Sequence, residues 1–161
     1  MTEVLLNEEL SFTYPDGFRV LEAAEVSRLF SANGLERWAI WDEDRRAIFC
    51  LQWRTVRGIA AALVHPKNHV RRVVMRARAS YRGEECEASP LSACTVAGEP
   101  AYEASFTYSE LGVRQRARVM AFKHSHKGST TVYTLYFYTR ESDVESNGAV
   151  LRSLLSTMHF A

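Results

Sequence analysis

His65 and His69 stand four residues apart, and His124 and His126 stand two apart. On a helix or a strand respectively, each pair could bring two imidazoles to one metal ion. Neither pair has a third ligand close by in sequence. Pro66 puts His65 at a helix start, where it reads as an end group. Ser125 and Lys127-Gly128 make the second pair read as a solvated turn spanning 124–128. Cys50 would need a histidine beside it to act as a nucleophile. Its apolar setting, Ile48-Phe49-Cys50-Leu51, points instead to a buried thiol. Asp42, Glu43 and Asp44 are adjacent carboxylates that could share acid–base work, but a hairpin tip leaves such groups solvated. Ser92 and Ser105 lack the glycines of a nucleophile elbow, and there is no phosphate-binding glycine loop, Cys-x-x-Cys or His-Glu-x-x-His. The sequence therefore predicts no enzyme, no cofactor and no metal, leaving sites assembled from distant residues as the alternative.

Charge is the stronger signal. Residues 45–83 hold ten basic side chains and no carboxylate, whereas residues 1–44 hold ten carboxylates against Arg19, Arg28 and Arg37. The whole chain nevertheless carries a formal charge of only +1. Such segregation creates an oriented surface potential for a partner to read. Arg71, Arg72, Arg76 and Arg78 belong to one helical segment, and Arg54 and Arg57 could join them if the intervening segment folds back. These six are the candidate partner-binding residues, because the guanidinium fork suits carboxylates and phosphates. A solvated helix back, or neutralisation by the 42–44 loop or by Glu84, Glu85 and Glu87, would equally account for the arginines. An acidic protein surface is the preferred partner, with a polyanion or nucleic acid as the alternative. The sequence pI of 7.8 is low for a dedicated nucleic-acid binder.

The elements that position these residues follow from periodicity. Phe12 and Tyr14 alternate with polar residues ahead of a Pro15-Asp16-Gly17 turn, and Phe18 and Val20 resume the strand pattern. Val26, Leu29, Phe30 and Asn33 share a helical face that Gly34 ends. Apolar runs at 38–41 and 48–53 flank a charged loop at 42–45, predicting a hairpin. Residues 59–64 suit a short helix, and Pro66 opens a second one. In that second helix Val70, Val73, Val74, Ala77 and Tyr81 form a single apolar stripe, and Gly83 ends it. Arg71, Arg78 and Arg82 flank the stripe on one side, while Arg72 and Arg76 lie nearly opposite it.

Strands then follow at 91–96, around 102–108, at 113–123 and at 130–138. In the third, Arg114, Arg116 and Arg118 project from one face. Pairing Tyr108 with Val113 sets Glu103 opposite Arg118 and Thr107 opposite Arg114, and leaves part of that face polar. Ser142-Asp143-Val144-Glu145 reads as a capping box, followed by a helix buried through Val144, Leu151, Leu154, Leu155 and Met158. The expectation is one α+β domain over 1–161, with an antiparallel sheet of about six or seven strands packed between helices. No apolar run is long enough to span a bilayer, and the opening MTEVLLNEE lacks a basic export signal. With three cysteines too few for a disulfide framework, the chain is expected to be cytoplasmic.

Three segments together resemble the PsbP-like superfamily, including its DcrB-like bacterial branch. They are Phe12-Thr13-Tyr14-Pro15-Asp16-Gly17-Phe18, Gly98-Glu99-Pro100-Ala101 leading into a long strand, and a closing helix over 150–160. The resemblance covers nearly the whole chain as architecture. It implies an αβα sandwich around an antiparallel sheet and a non-catalytic role as a binding module, assembly factor, chaperone or accessory subunit. It carries no binding residue across to this chain. Many bacterial members are exported lipoproteins, and this sequence departs from them in having no lipobox.

Overall fold

The computed structural model describes residues 1–30, 35–81 and 86–161. It opens with a hairpin, β1 (Thr2–Leu6) and β2 (Leu10–Tyr14), whose first strand the alternation around Phe12 does not announce. The Pro15-Asp16-Gly17 turn follows as expected and leads through β3 (Arg19–Val20) to α1 (Ala23–Leu29). Glu22 caps α1 reciprocally with Glu25. Val26 and Phe30 are buried, but Leu29 is 53% exposed because the chain leaves helical geometry at Phe30. Asn33 and Gly34, expected to close this helix, lie outside the described residues.

The predicted hairpin forms as β4 (Glu36–Asp42) and β5 (Ala47–Arg57), with Asp42 opposite Ala47. Its tip is not simply solvated. Asp42 is buried and accepts hydrogen bonds from the Arg45 backbone N–H, at 3.0 Å, and from the Arg45 guanidinium. A short α2 (Ile59–Leu63) and a fifteen-residue α3 (Pro66–Ser80) come next, with Pro66 at the first turn and His65 at the N-cap. The apolar stripe of α3 packs as predicted, with Val70, Val74 and Ala77 buried. Gly83 and Arg82 lie outside the described residues.

Two short strands, β6 (Glu87–Ala88) and β7 (Ser92–Val96), share one edge of β8 (Glu99–Glu110), which continues into β9 (Val113–His126) and β10 (Ser129–Arg140). Two-residue loops join β7, β8, β9 and β10: Ala97-Gly98, Leu111-Gly112 and Lys127-Gly128. Both residues of each loop have positive φ, the geometry that matches the twist of paired strands. Two expectations are corrected by these loops. The strand continues through His124 and His126 instead of turning at 124–128. The β8–β9 register pairs Glu110 with Val113, placing Ser105 opposite Arg118 and Thr107 opposite Arg116. A shift of two residues keeps every side chain on its predicted face.

After a 3-10 turn at Glu141–Asp143, α4 (Val144–Thr157) starts with Asp143 as N-cap and no side-chain cap bond, so the predicted capping box does not form. Leu151, Leu154 and Met158 are buried as expected. Asn147 is buried too, satisfied by donating to Thr139 Oγ1 at 2.6 Å and to the Arg45 carbonyl at 2.9 Å. The helix stops before the chain end, and β11 (His159–Phe160) returns to pair with β2.

The main sheet is antiparallel, in the order β3-β4-β5-β10-β9-β8-β6 with β7 beside β6 on the β8 edge. Eight strands thus occupy seven positions across it among the described residues. One face lies beneath α1 and α3, and the other beneath α4 and the small β1-β2-β11 sheet. The largest apolar cluster lies under that second layer, around Phe12, Phe49, Phe122, Tyr133 and Leu151. This α+β sandwich is the expected fold class.

Candidate functional site

Helices α1 and α3 do not meet over the sheet. The first covers Ala39 and Cys50 near β4 and β5, while the second covers Ala104, Val119 and Ala121 on β8 and β9. Among the described residues, the strip between them above β10 is uncovered. Side chains alternate along a strand, so the residues aimed into this gap are Thr134, Tyr136 and Tyr138, joined by Gln52 from β5. The result is a groove of about 360 Å³. One wall is α3, through His69, Arg72 and Arg76, and the other is Leu29, Phe30 and Leu35. A second lobe of about 410 Å³ extends toward Trp41, Arg46 and Glu110, sharing Leu29, Phe30, Tyr81 and Tyr138 with the first.

The floor is aromatic and ordered. The Tyr136 and Tyr138 rings lie nearly parallel, at 3°, with centroids 6.1 Å apart. Phe30 leans against both, at 6.2 and 6.0 Å, and Tyr81 stacks on Tyr108 at 4.4 Å. Burial pushes the Tyr136 hydroxyl up to about 12, with Arg76 pulling weakly the other way, and drives Tyr138 well above its ordinary value. Both tyrosines are therefore neutral hydrogen-bonding groups at any ordinary pH.

The wall is cationic. Burial, then Arg72, Arg54 and Arg76, hold the His69 imidazole below its ordinary 6.5. Arg54 on β5 thus adds its charge to that of the α3 arginines at His69. None of Arg54, Arg72 and Arg76 makes an ion pair with a described carboxylate. Three acidic groups of the N-terminal third are occupied elsewhere: Asp16 with the Met1 ammonium, Glu25 with Arg19, and Asp42 with Arg45. The 42–44 loop does not neutralise α3 through Asp42, and Glu84 and Glu85 lie outside the described residues.

The six predicted arginines divide. Arg72 and Arg76 line the groove with His69, and Arg54, outside its lining, acts on His69 through its charge. Arg57 ends β5 beside α2, whose Ile59 and Leu63 are exposed. Arg71 and Arg78 project from the other flank of α3, where Arg78 lies near Cys86. The floor residues Gln52, Thr134, Tyr136 and Tyr138 were missed. A signal was present in the polar Gln52 within an apolar run and in the alternation of Thr134, Tyr136 and Tyr138. What the sequence could not supply was the gap between two helices.

Little here suits covalent chemistry. Burial pushes the Cys50 thiol up to about 12 and Cys94 up to about 11, so neither is a thiolate near neutrality. His124 is not a loop residue: it is partly buried, bonds Glu99 Oε1 at 3.0 Å through Nδ1, and stacks on Phe160 at 3.7 Å. His65 and His69 do not converge with other ligands, and no metal-type cluster occurs among the described residues. Nor is any described helix long and apolar enough to cross a membrane. What the groove offers is an aromatic bed with neutral hydroxyls beside Arg72 and Arg76, whose guanidinium groups make no ion pair with a described carboxylate.

The fold is that of the PsbP-like proteins, as the three sequence segments suggested. LpqN of Mycobacterium tuberculosis, involved in cell envelope biogenesis, superposes with a TM-score of 0.65 over 99% of this chain and 90% of its own, at 14% identity. CyanoP, the PsbP of Synechocystis sp. PCC 6803, gives 0.57 over 94% and 86%, also at 14% identity. The Saccharomyces cerevisiae Ran-binding protein Mog1p gives 0.54 over 98% and 94%, at 12% identity. At these identities the likeness is one of fold alone. No family model matches the chain, and no curated protein matches it in sequence.

Proposed function

We propose that this chain is a non-catalytic protein-binding module, one domain over 1–161, that holds an acidic partner segment in the groove between α1 and α3. The observation carrying this reading is that Arg72 and Arg76 stand beside the Tyr136–Tyr138 floor without an ion pair to any described carboxylate, with Arg54 adding positive charge near His69. Interfaces owe most of their affinity to a few desolvated aromatic and arginine contacts, and complementary charge sets orientation and encounter. A partner strand or helix carrying Asp or Glu next to one apolar side chain satisfies both. Arg57, Arg71 and Arg78 add long-range attraction from outside the groove. The Ran-binding activity in Mog1p's name and the envelope-biogenesis role of LpqN agree with binding work on this fold. An assembly factor or chaperone is the corresponding cellular role. A cytoplasmic location, where Cys50, Cys86 and Cys94 would stay reduced, completes the proposal.

The test is recovery from source lysate by the wild type and by an Arg72→Glu/Arg76→Glu variant, each washed at low and moderate salt. A protein retained by the wild type at moderate salt and lost by the variant supports the groove. Nucleic acid as the sole retained species, stripped by moderate salt, overturns it in favour of polyanion binding, whose affinity falls steeply with salt.

A further inference from the structure

The opposite face of the main sheet holds a second cleft, of about 320 Å³, between the first half of α4 and β8–β9. It arises because Met120 and Phe122 are the apolar members of the β9 row on this face. Nearer the Leu111-Gly112 turn the same row continues as Arg118, Arg116 and Arg114, which form no apolar seat for the overlying layer. Phe137 and Leu151, 3% and 1% exposed, make an apolar floor.

Arg116, Arg118 and Arg152 line the cleft, with Glu103 as the one carboxylate among its described lining residues. Arg118 gives both Nε and Nη2 to Glu103 Oε2, at 3.0 and 2.7 Å, so that pair is internally neutral. Arg116 donates from Nη2 to Ser105 Oγ at 3.2 Å, and Ser105 Oγ in turn donates to Ser89 Oγ at 3.3 Å, leaving the Ser89 hydroxyl as the free serine donor of this chain of bonds. Neither Arg116 nor Arg152 makes an ion pair with a described carboxylate. Two positive charges and two serine hydroxyls thus face an open cleft over an apolar floor.

Gly148 supplies a second observation. Glycine is a poor helix former, yet this one sits inside α4 on the cleft wall with ordinary negative φ. A Cβ there would meet nothing closer than Arg152 Nη1, at 3.5 Å. The helix does not need a glycine at this point, but any long side chain would enter the cleft beside Arg152.

We propose that this cleft is a binding site for a phosphate monoester with a small apolar body, separate from the groove across the sheet. The dianion matches in charge the two guanidinium groups that lack a described ion pair, the arginine forks and the Ser89 hydroxyl donate to its oxygens, and the apolar body rests on Phe137 and Leu151.

Titration of the full chain with phenyl phosphate at pH 8, with phenol as the uncharged control, tests this. Phenyl phosphate should bind and raise Tm, whereas phenol should do neither. Arg116→Gln and Arg152→Gln should each weaken binding by roughly tenfold or more, as expected for loss of a charge-assisted contact. Gly148→Glu, placing a carboxylate four residues before Arg152, should abolish binding while raising Tm without ligand. Arg72→Gln/Arg76→Gln should bind like the wild type, so failure of the groove hypothesis and failure of this one are separable. Absence of wild-type binding at millimolar probe, indifference to Arg152→Gln, or loss in the Arg72→Gln/Arg76→Gln variant would each overturn the proposal. Arg152 is an exposed side chain, so its substitution remains decisive even if Gly148→Glu fails to fold.

Discussion

Arg118 on β9 reaches diagonally to Glu103 on β8, Nη2 to Oε2 at 2.7 Å, although Met120 is the residue directly opposite Glu103. Diagonal neighbours on one sheet face remain within reach of long side chains. The pair is partly exposed, with 36% and 23% of the two side chains accessible, so its own worth is about 0.2–1 kcal/mol. Glu103→Gln should cost no more than that in urea unfolding. Because Arg118 would then be uncompensated at the basic cleft, the same substitution should strengthen phenyl phosphate binding. Equal or weaker binding by Glu103→Gln contradicts the charge argument.

Gly17 lies against the Asp42–Arg45 pair. Its φ is +102°, and a Cβ would fall 2.6 Å from Asp42 Oδ2 and 2.8 Å from Arg45 Nη1. Gly17→Ala must therefore strain the backbone and push the pair apart. A loss of about 1–3 kcal/mol is expected from the backbone alone. Thermal unfolding should show a lower Tm for Gly17→Ala, while Gly128→Ala, with open space around its Cβ, should lose less.

Asp42 also fixes an acid limb of stability. Burial alone would raise its carboxyl pKa, but the hydrogen bonds from the Arg45 backbone and guanidinium outweigh it and hold the group below its ordinary value. The contribution is therefore complete above the ordinary carboxylate pKa and is lost as pH falls through the lowered one. Asp42→Asn should flatten that limb in denaturation curves taken between pH 5 and pH 2, at a cost of about 1–3 kcal/mol near neutrality, because the Arg45 left behind is 38% exposed and is solvated by water.

His69 should couple pH to the groove. Its imidazole is held below 6.5 by burial and by Arg72, Arg54 and Arg76, so the folded chain favours the neutral form. Below pH 6.5 the unfolded chain binds more protons, and stability falls with pH until the lowered folded pKa is passed. A bound carboxylate would favour the imidazolium, so an acidic ligand should bind more tightly as pH falls from 7.5 to 5.5. His69→Gln should remove both dependences, and an acidic-ligand affinity equally pH-dependent in that variant contradicts the assignment.

Phe160 tethers the chain end. It stacks on His124 at 3.7 Å and 5°, touches Phe122 and Tyr133, and lies on the strand paired with β2. Phe160→Ala should cost about 1–3 kcal/mol, less than for a fully buried phenylalanine, and should speed amide exchange at Leu10 and Ser11.

Much of this architecture is legible in the sequence, for identifiable reasons. The Val70–Val74–Ala77 stripe, the 38–53 hairpin and the faces of Arg114, Arg116 and Arg118 follow from local periodicities that burial does not override. The misplaced β8–β9 register and the missed end of β9 have one origin. A two-residue loop with positive φ at both positions can include Leu111 or Lys127 ahead of its glycine, so an ordinary residue hides half of the turn. β1 and β11 are short strands whose pairing is set across the whole chain, and β11 ends beside Glu9 by a backbone bond from Ala161 at 2.8 Å. The candidate groove was visible only in part, through Arg72 and Arg76. Its floor exists because, among the described residues, α1 and α3 cover different strands and leave the middle of β10 between them, a tertiary fact with no local signature.

The most direct measurement of the central claim is photocrosslinking from inside the groove. A photoreactive amino acid at Ser80, on the α3 wall, is compared with one at Ser156 on the exposed side of α4, each in the full chain in source lysate. The groove account predicts a discrete protein adduct from position 80, none from position 156, and loss of the adduct when Arg72 and Arg76 are changed to Glu. An adduct from position 156 alone, or one from position 80 that survives the charge reversal, would contradict it.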